Sequence, residues 1–279
     1  MVGLVGERAG AGAGRGRGLR NGRGGPGMAE RATGQATADV PEVAAVVLAA
    51  GASTRMGRNK LLLELDGETV VRRAVRTAIA AGLSPVVVVT GHACGKVAGQ
   101  LRGLGCSNVH NDRYVEGTHT SVAAGIGAVG EGCGAAVVIL ADMPFVTPAM
   151  LRTLVDTYRE ARPPLVASRY GGSVNAPPIL YDRRLFGELR RMDARCGREV
   201  VRRHLHEAIE VEWSAEAGRD LDRPDDYRRI VKELAGGKDG GRGPVGRVGG
   251  PGRSGDGGGA GAEAGREPVR EPGREPVRG

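Results

Sequence analysis

Three short apolar runs, 43–49, 85–90 and 135–140, constrain the fold of this chain more than any other feature. They are rich in Val, Ile and Ala and do not alternate with polar residues. Runs of this kind suit strands buried on both faces. Between the first two, Val71, Ala74, Val75, Ala78 and Ile79 recur at helical spacing, and Gly82 stands where a helix would stop. A short helix is predicted over 96–102, a strand near Asn108 and a small-residue helix over 121–129. Thr147-Pro148 reads as an N-cap followed by proline at the first helical position, with a helix to Ala161 and a strand over 165–168. Strands alternating with helices predict an α/β domain: a mainly parallel sheet with helices on both faces, three layers α/β/α. Ligands in such sheets sit beyond the carboxyl ends of the strands.

The ends of the chain read differently. Of 279 residues 49 are glycine, and many cluster near the termini. Residues 1–41 are Gly-, Ala- and Arg-rich and offer no apolar face whose burial would offset ordering, so a disordered tail is expected. The glycines at 14, 16 and 18 follow no strand and do not make a dinucleotide loop. Residues 236–279 are Gly-, Pro- and Arg-rich and end in a short repeat with proline every fourth residue, which reads as a second tail. The folded domain is expected over 42–235.

Composition narrows the function classes. Aromatics are 3%, so the core must be aliphatic, and the formal net charge is +8. Acidic and basic residues are interspersed, which suits phosphorylated small molecules better than nucleic acid. Cys94, Cys106, Cys133 and Cys196 form no C-x-x-C pair, arguing against a zinc ribbon or thioredoxin-type motif. No signal-peptide-like start and no apolar run long enough to cross a membrane are seen, so a cytoplasmic protein with reduced thiols, and no membrane partner, is expected.

Two polar segments fall at strand ends. The first is Leu48-Ala49-Ala50-Gly51-Ala52-Ser53-Thr54-Arg55-Met56-Gly57-Arg58-Asn59-Lys60. Gly51 and Gly57 let backbone N–H groups approach an anion, and Arg55 and Lys60 add fixed positive charge. Five residues separate Gly51 from Gly57 and Lys60 does not adjoin Gly57, so this is not a Walker A loop; it also lacks G-x-G-x-x-G. The second is Ile139-Leu140-Ala141-Asp142-Met143-Pro144, where a carboxylate at a strand tip is placed to bind a hard cation. His204 and His206, two apart on a helix, point to different faces and are not read as a metal pair. Trp213 reads as a packing residue.

The first segment resembles the signature L-A-A-G-x-S-x-R-M-G-x-x-K of the MobA-like nucleotidyltransferases. Leu48, Ala49, Ala50, Gly51, Ser53, Arg55, Met56, Gly57 and Lys60 meet every fixed position. Asp142-Met143-Pro144 is similar to that family's Asp-x-Pro metal motif. Asp220-Leu221-Asp222-Arg223-Pro224-Asp225-Asp226 resembles its closing motif D-I-D-T-P-E-D, with Arg223 in place of Thr. The segment 117–125, with Ser121 and Gly125, resembles the part near the nucleotide base and ribose. It lacks the guanylyl-type G-P-L-x-G and is closer to the molybdenum cofactor cytidylyltransferases. Asn175-Ala176-Pro177-Pro178 and Arg195-Cys196-Gly197-Arg198 resemble that branch's acceptor-side region, where Gly-Asp-x-Gly-x-Arg is usual.

The resemblance covers about 43–231 and implies a Rossmann-like nucleotidyltransferase fold. It implies that Leu48, Ala49, Ala50, Gly51, Ser53, Arg55, Gly57, Lys60, Ser121 and Gly125 bind the nucleotide. Arg55, Lys60 and Asp142 are the implied catalytic residues, and Asp142 with Asp220 or Asp222 the implied Mg²⁺ ligands. The implied reaction moves CMP from CTP to a phosphorylated acceptor, molybdopterin, with a molybdoenzyme or its chaperone as recipient of the product. A guanylyltransferase and a nicotine-blue-oxidoreductase-like relative remain alternatives. From another class, so does an RNA-binding protein whose Arg/Gly tails carry the function.

Overall fold

The computed structural model describes residues 42–172, 174–191, 196–236 and 247–249. Residues 1–41, and the expected C-terminal tail apart from Gly236 and 247–249, lie outside them. In chain order the elements are β1 (Glu42–Ala49), a small hairpin of β2 (Glu64–Leu65) and β3 (Glu68–Thr69), α1 (Val70–Ala80), β4 (Val86–Thr90), α2 (Cys94–Gln100) and β5 (Ser107–His110). Next come α3 (Thr118–Gly127), β6 (Cys133–Leu140), α4 (Pro148–Ala161), β7 (Leu165–Tyr170) and β8 (Val174–Asp182). Then follow α5 (Phe186–Arg190), α6 (Cys196–His204), β9 (Ile209–Trp213), α7 (Pro224–Gly236) and β10 (Arg247–Gly249).

The main sheet runs β10-β9-β7-β8-β6-β1-β4-β5. β1 pairs in parallel with β4 on one side and β6 on the other, so the β1 loop leaves the sheet's carboxyl edge between two parallel neighbours. β8 runs antiparallel between β6 and β7, and β10 antiparallel to β9. The other six strands point one way, the three-layer, mainly parallel α/β architecture expected. Alternate residues of β1 feed two cores. Val43, Ala45, Val47 and Ala49 meet α1, α2, α4 and α7, while Ala44, Val46 and Leu48 meet α3, α5 and α6. With so few aromatics, both cores are built mainly from aliphatic side chains.

Local rules place several elements as read. The Thr147 hydroxyl accepts from the Met150 N–H at 3.2 Å, and α4 runs from Pro148 to Ala161. Gly82, with φ 82°, reverses the chain just past α1. α3 begins earlier than expected, at Thr118, because Gly117 breaks the preceding turn. One expectation is corrected: 247–249, inside the stretch read as a tail, forms β10, because β9 presents an open ladder on which Val248 stands opposite Val211. His204 and His206 turn apart, to Glu188 and to the Arg203 carbonyl. Trp213 is buried in the core, and Cys94, Cys106 and Cys133 are free thiols. No helix among the described residues is long and apolar enough to cross a membrane.

Candidate active site

The turn after β1 is held by local chemistry. Ser53 (φ 54°) and Gly57 (φ 72°) take left-handed conformations on either side of a short turn, Thr54–Met56. Glycine meets that requirement at 57 without the steric cost of a side chain. Met56 is buried in the core and anchors the turn. The Ser53 hydroxyl accepts from the Lys60 backbone N–H at 3.1 Å, closing the loop on itself. Asn59 Oδ1 accepts from the Leu61 N–H at 3.0 Å and opens the next turn, Lys60–Leu62. The loop thereby draws Lys60 inward: its side chain is 12% exposed, against 69% for Arg55.

Asp142 stands just past β6. Ala141 N–H donates to the Leu48 carbonyl at 3.1 Å, keeping this end of β6 against β1. The Asp142 carbonyl in turn accepts from Leu221 N–H at 2.9 Å, and the Leu221 side chain is fully buried. That docking brings Asp222 beside Asp142. Lys60 Nζ lies 2.5 Å from Asp142 Oδ2 and 2.7 Å from Asp222 Oδ1, and Arg55 Nη1 lies 2.6 Å from Asp222 Oδ2. Burial works to lower the Lys60 pKa, but the charges and hydrogen bonds of Asp142 and Asp222 outweigh it and hold the ammonium above its ordinary value. The hydrogen bond from Lys60 holds Asp222 below the usual carboxylate range.

These residues line a cleft of about 260 Å³ together with Tyr114, Thr118 and Ser121. Asp142 follows β6 on one side of β1, whereas Tyr114, Thr118 and Ser121 follow β5 on the other, so the two groups form opposite ends. Of the expected nucleotide contacts, Leu48, Ala50, Gly51, Ser53, Arg55, Lys60 and Ser121 line it. Ala49 faces the core instead, and Gly57 serves the turn. Gly125 also lies off the cleft: a side chain there would collide with Val46 and Val89, so this glycine seats α3 on the sheet. Asp220 does not line the cleft and makes no direct contact with Lys60, although its carboxyl lies close enough to the cluster to feel its charges. Desolvation, then the nearby Asp222 and Asp142 carboxylates, hold its carboxyl above the ordinary range. Asn175 and its neighbours fall in β8; Arg195 lies outside the described residues.

Sequence reasoning missed Tyr114 and Asn111, and took in Thr118 only as part of the segment 117–125. Asn111 directly follows β5, and the rule that strand ends carry ligand-facing groups would have singled it out. As a metal site, two carboxylates converging on one cationic atom are the oxygen donors that a hard divalent ion accepts. Among the described residues no group of three or more acidic, His or Cys side chains forms a metal cage. Asp142 and Asp222 are the residues that would hold such an ion.

The family profile described as the MobA-like NTP transferase domain matches residues 45–208, more than half of the chain. The chain belongs to that family. It is 29% identical over 216 residues to the purine catabolism protein PucB of Bacillus subtilis, spanning 70% of this chain and 98% of that protein. It is 27% identical over 186 residues to the molybdenum cofactor cytidylyltransferase of Escherichia coli, spanning 65% and 92%. The match to the bifunctional GlmU proteins of Geotalea uraniireducens and Clavibacter sepedonicus spans 26% of their length. Among solved structures, Rv0371c of Mycobacterium tuberculosis superposes with a TM-score of 0.61 at 29% identity, over 69% of this chain and 99% of that one. The same protein is known in a complex with manganese, at TM-score 0.58 and 28% identity, over 68% of this chain and 98% of that one.

Proposed function

We propose that this protein is a nucleotidyltransferase that moves CMP from CTP to a phosphorylated acceptor, molybdopterin, and releases pyrophosphate. The observation that carries the reading is the Lys60 ammonium, held between Asp142 and Asp222 at the mouth of the β1 loop. An acceptor phosphate oxygen attacks the α-phosphorus; the new P–O bond forms as the bond to the β-phosphate oxygen breaks, and pyrophosphate carries the electron pair away. Gly51 and its neighbours let the backbone approach the triphosphate, while Arg55 and Lys60 balance charge on the leaving group. Asp142 and Asp222 are the residues that would hold Mg²⁺, which when bound offsets phosphate charge. The chain's own share is positioning and fixed charge, with no covalent intermediate.

Similarity to the Escherichia coli cytidylyltransferase supports CTP and molybdopterin. So does the lack of G-P-L-x-G between Gly117 and Gly125. A molybdoenzyme or its chaperone would receive the product. The test is pyrophosphate release from each of four nucleoside triphosphates with molybdenum-loaded molybdopterin, followed by competition of CTP and GTP in one tube. CTP is expected to be used with kcat/KM at least about tenfold above GTP, the factor that about 1.4 kcal/mol supplies. Equal products reject the cytidylyl assignment, and no pyrophosphate from any pair rejects the acceptor.

A further inference from the structure

Asn111 follows β5 and buries its side chain behind the wall of the cleft opposite the charged cluster. Its Oδ1 accepts from the Arg113 backbone N–H at 3.0 Å. A backbone N–H can only donate, so the amide has one sensible orientation: oxygen toward Arg113, NH₂ toward α3. The NH₂ donates to Thr120 Oγ1 at 2.9 Å and to Ser121 Oγ at 3.0 Å. Both amide hydrogens and the amide oxygen are thereby engaged.

The two hydroxyls that receive these bonds differ. Thr120 Oγ1 lies 2.9 Å from both the Arg113 and Gly117 carbonyls, so its own hydrogen goes to the backbone. Ser121 Oγ meets no acceptor among the described residues and lines the cleft. A hydroxyl carries one hydrogen, and sealing it away unpaired is costly. A ligand that fills this end of the cleft has to accept it.

We infer that Asn111 is a positioning residue that fixes the Ser121 hydroxyl as a hydrogen-bond donor, so that this end of the cleft selects a nucleobase presenting an acceptor there. The inference rests on the reading that the cleft takes a nucleoside triphosphate. Cytosine, with a carbonyl oxygen and an unprotonated ring nitrogen side by side, offers two such acceptors on its pairing edge. Guanine offers two donors beside a single acceptor on the same edge.

The test is a double-mutant cycle on the full chain, read as CTP affinity in the presence of Mg²⁺ by titration calorimetry, with ATP, GTP and UTP alongside. Ser121→Ala is expected to weaken CTP binding about tenfold. Asn111→Asp leaves only acceptors facing α3, so the Ser121 hydrogen turns away from the ligand and CTP binding falls about tenfold or more. In the Ser121→Ala background the same Asn111→Asp change should cost less than about twofold, because Asn111 acts through Ser121. An equal factor in both backgrounds, or wild-type affinity in Asn111→Asp, overturns the inference. Should thermal unfolding show that the buried charge prevents folding, Asn111→Ala decides in its place. Its smaller loss must likewise vanish beside Ser121→Ala, and persistence of that loss overturns the inference. A wild-type protein that binds CTP but gives an additive cycle removes this inference alone. A wild-type protein that binds none of the four removes the proposed function as well.

Discussion

The two ends of the cleft are built on opposite principles. At one end, Arg55, Lys60, Asp142 and Asp222 hold one another by full charge, drawn from three distant stretches of chain. At the other, Asn111, Thr120 and Ser121 hold one another by neutral hydrogen bonds within eleven consecutive residues. Charge acts strongly on phosphate whatever base is attached. A neutral hydroxyl of fixed polarity contributes little force but distinguishes a donor from an acceptor. The difference teaches a division of labour: substitutions at the charged end should strike rate, and substitutions at the neutral end should strike selectivity and the seating of α3.

The comparison breaks most readily at Asp142. Asp142→Asn keeps the shape but loses the charge that holds a hard cation, and turnover is expected to fall by on the order of 10³-fold. A Mg²⁺ titration of activity checks it; an unchanged midpoint and rate would remove Asp142 from the metal site. Lys60→Ala is expected to cost on the order of 10²-fold in kcat, and it also leaves Asp142 and Asp222 facing each other without their ammonium. Near-wild-type kcat with an intact fold would sink the triphosphate role of the loop.

The neutral end sharpens the contrast through stability. Alanine in place of a mid-helix glycine ordinarily gains about 1 kcal/mol. At Gly125 the added methyl collides with the buried side chains of Val46 and Val89, so overpacking wins and a net loss of about 1–3 kcal/mol is expected in urea unfolding. A Gly125→Ala variant as stable as the wild type or more so would overturn the packing role of this glycine. Arg55→Ala should cost about tenfold in kcat, less than Lys60→Ala, because its side chain is largely solvated and screened. Asp220→Asn, off the cleft, should change kcat/KM by less than about threefold. A larger effect in steady-state kinetics would bring Asp220 back among the metal ligands.

How much of this was legible follows from where the signals are local. The β1 run, the Thr147-Pro148 cap and the loop to Lys60 are written in adjacent residues, and the structure places them as read. β8 was not legible. Pro177 and Pro178 argue against a strand between two neighbours, since proline cannot donate to a ladder. The structure accommodates them because pairing with β6 runs only from Ile179 to Asp182, while pairing with β7 shifts register between Ala167 and Arg169. There the Ser168 hydroxyl donates to the Pro178 carbonyl at 2.6 Å. β9 carries a readable signal, Ile209, Val211 and Trp213 alternating with glutamates. In the site, three of the nine signature residues do not line the cleft: Met56 and Ala49 are core, and Gly57 serves the turn. Single-letter motifs do not separate residues that touch a ligand from residues that shape the loop around it. Asn111 carries no motif at all, and its polarity argument exists only once Arg113 and α3 are in place.

The bond from Lys60 to Asp222 spans 162 positions, and Asp222 lies beyond the stretch, 45–208, by which the family is recognised. Synthesis runs from the N-terminus, at about 5–20 residues per second. The loop after β1 therefore emerges well before one of its two carboxylate partners. The charged cluster can therefore close only after the segment carrying Leu221 and Asp222 has been made, when β1 to β9 are already synthesised.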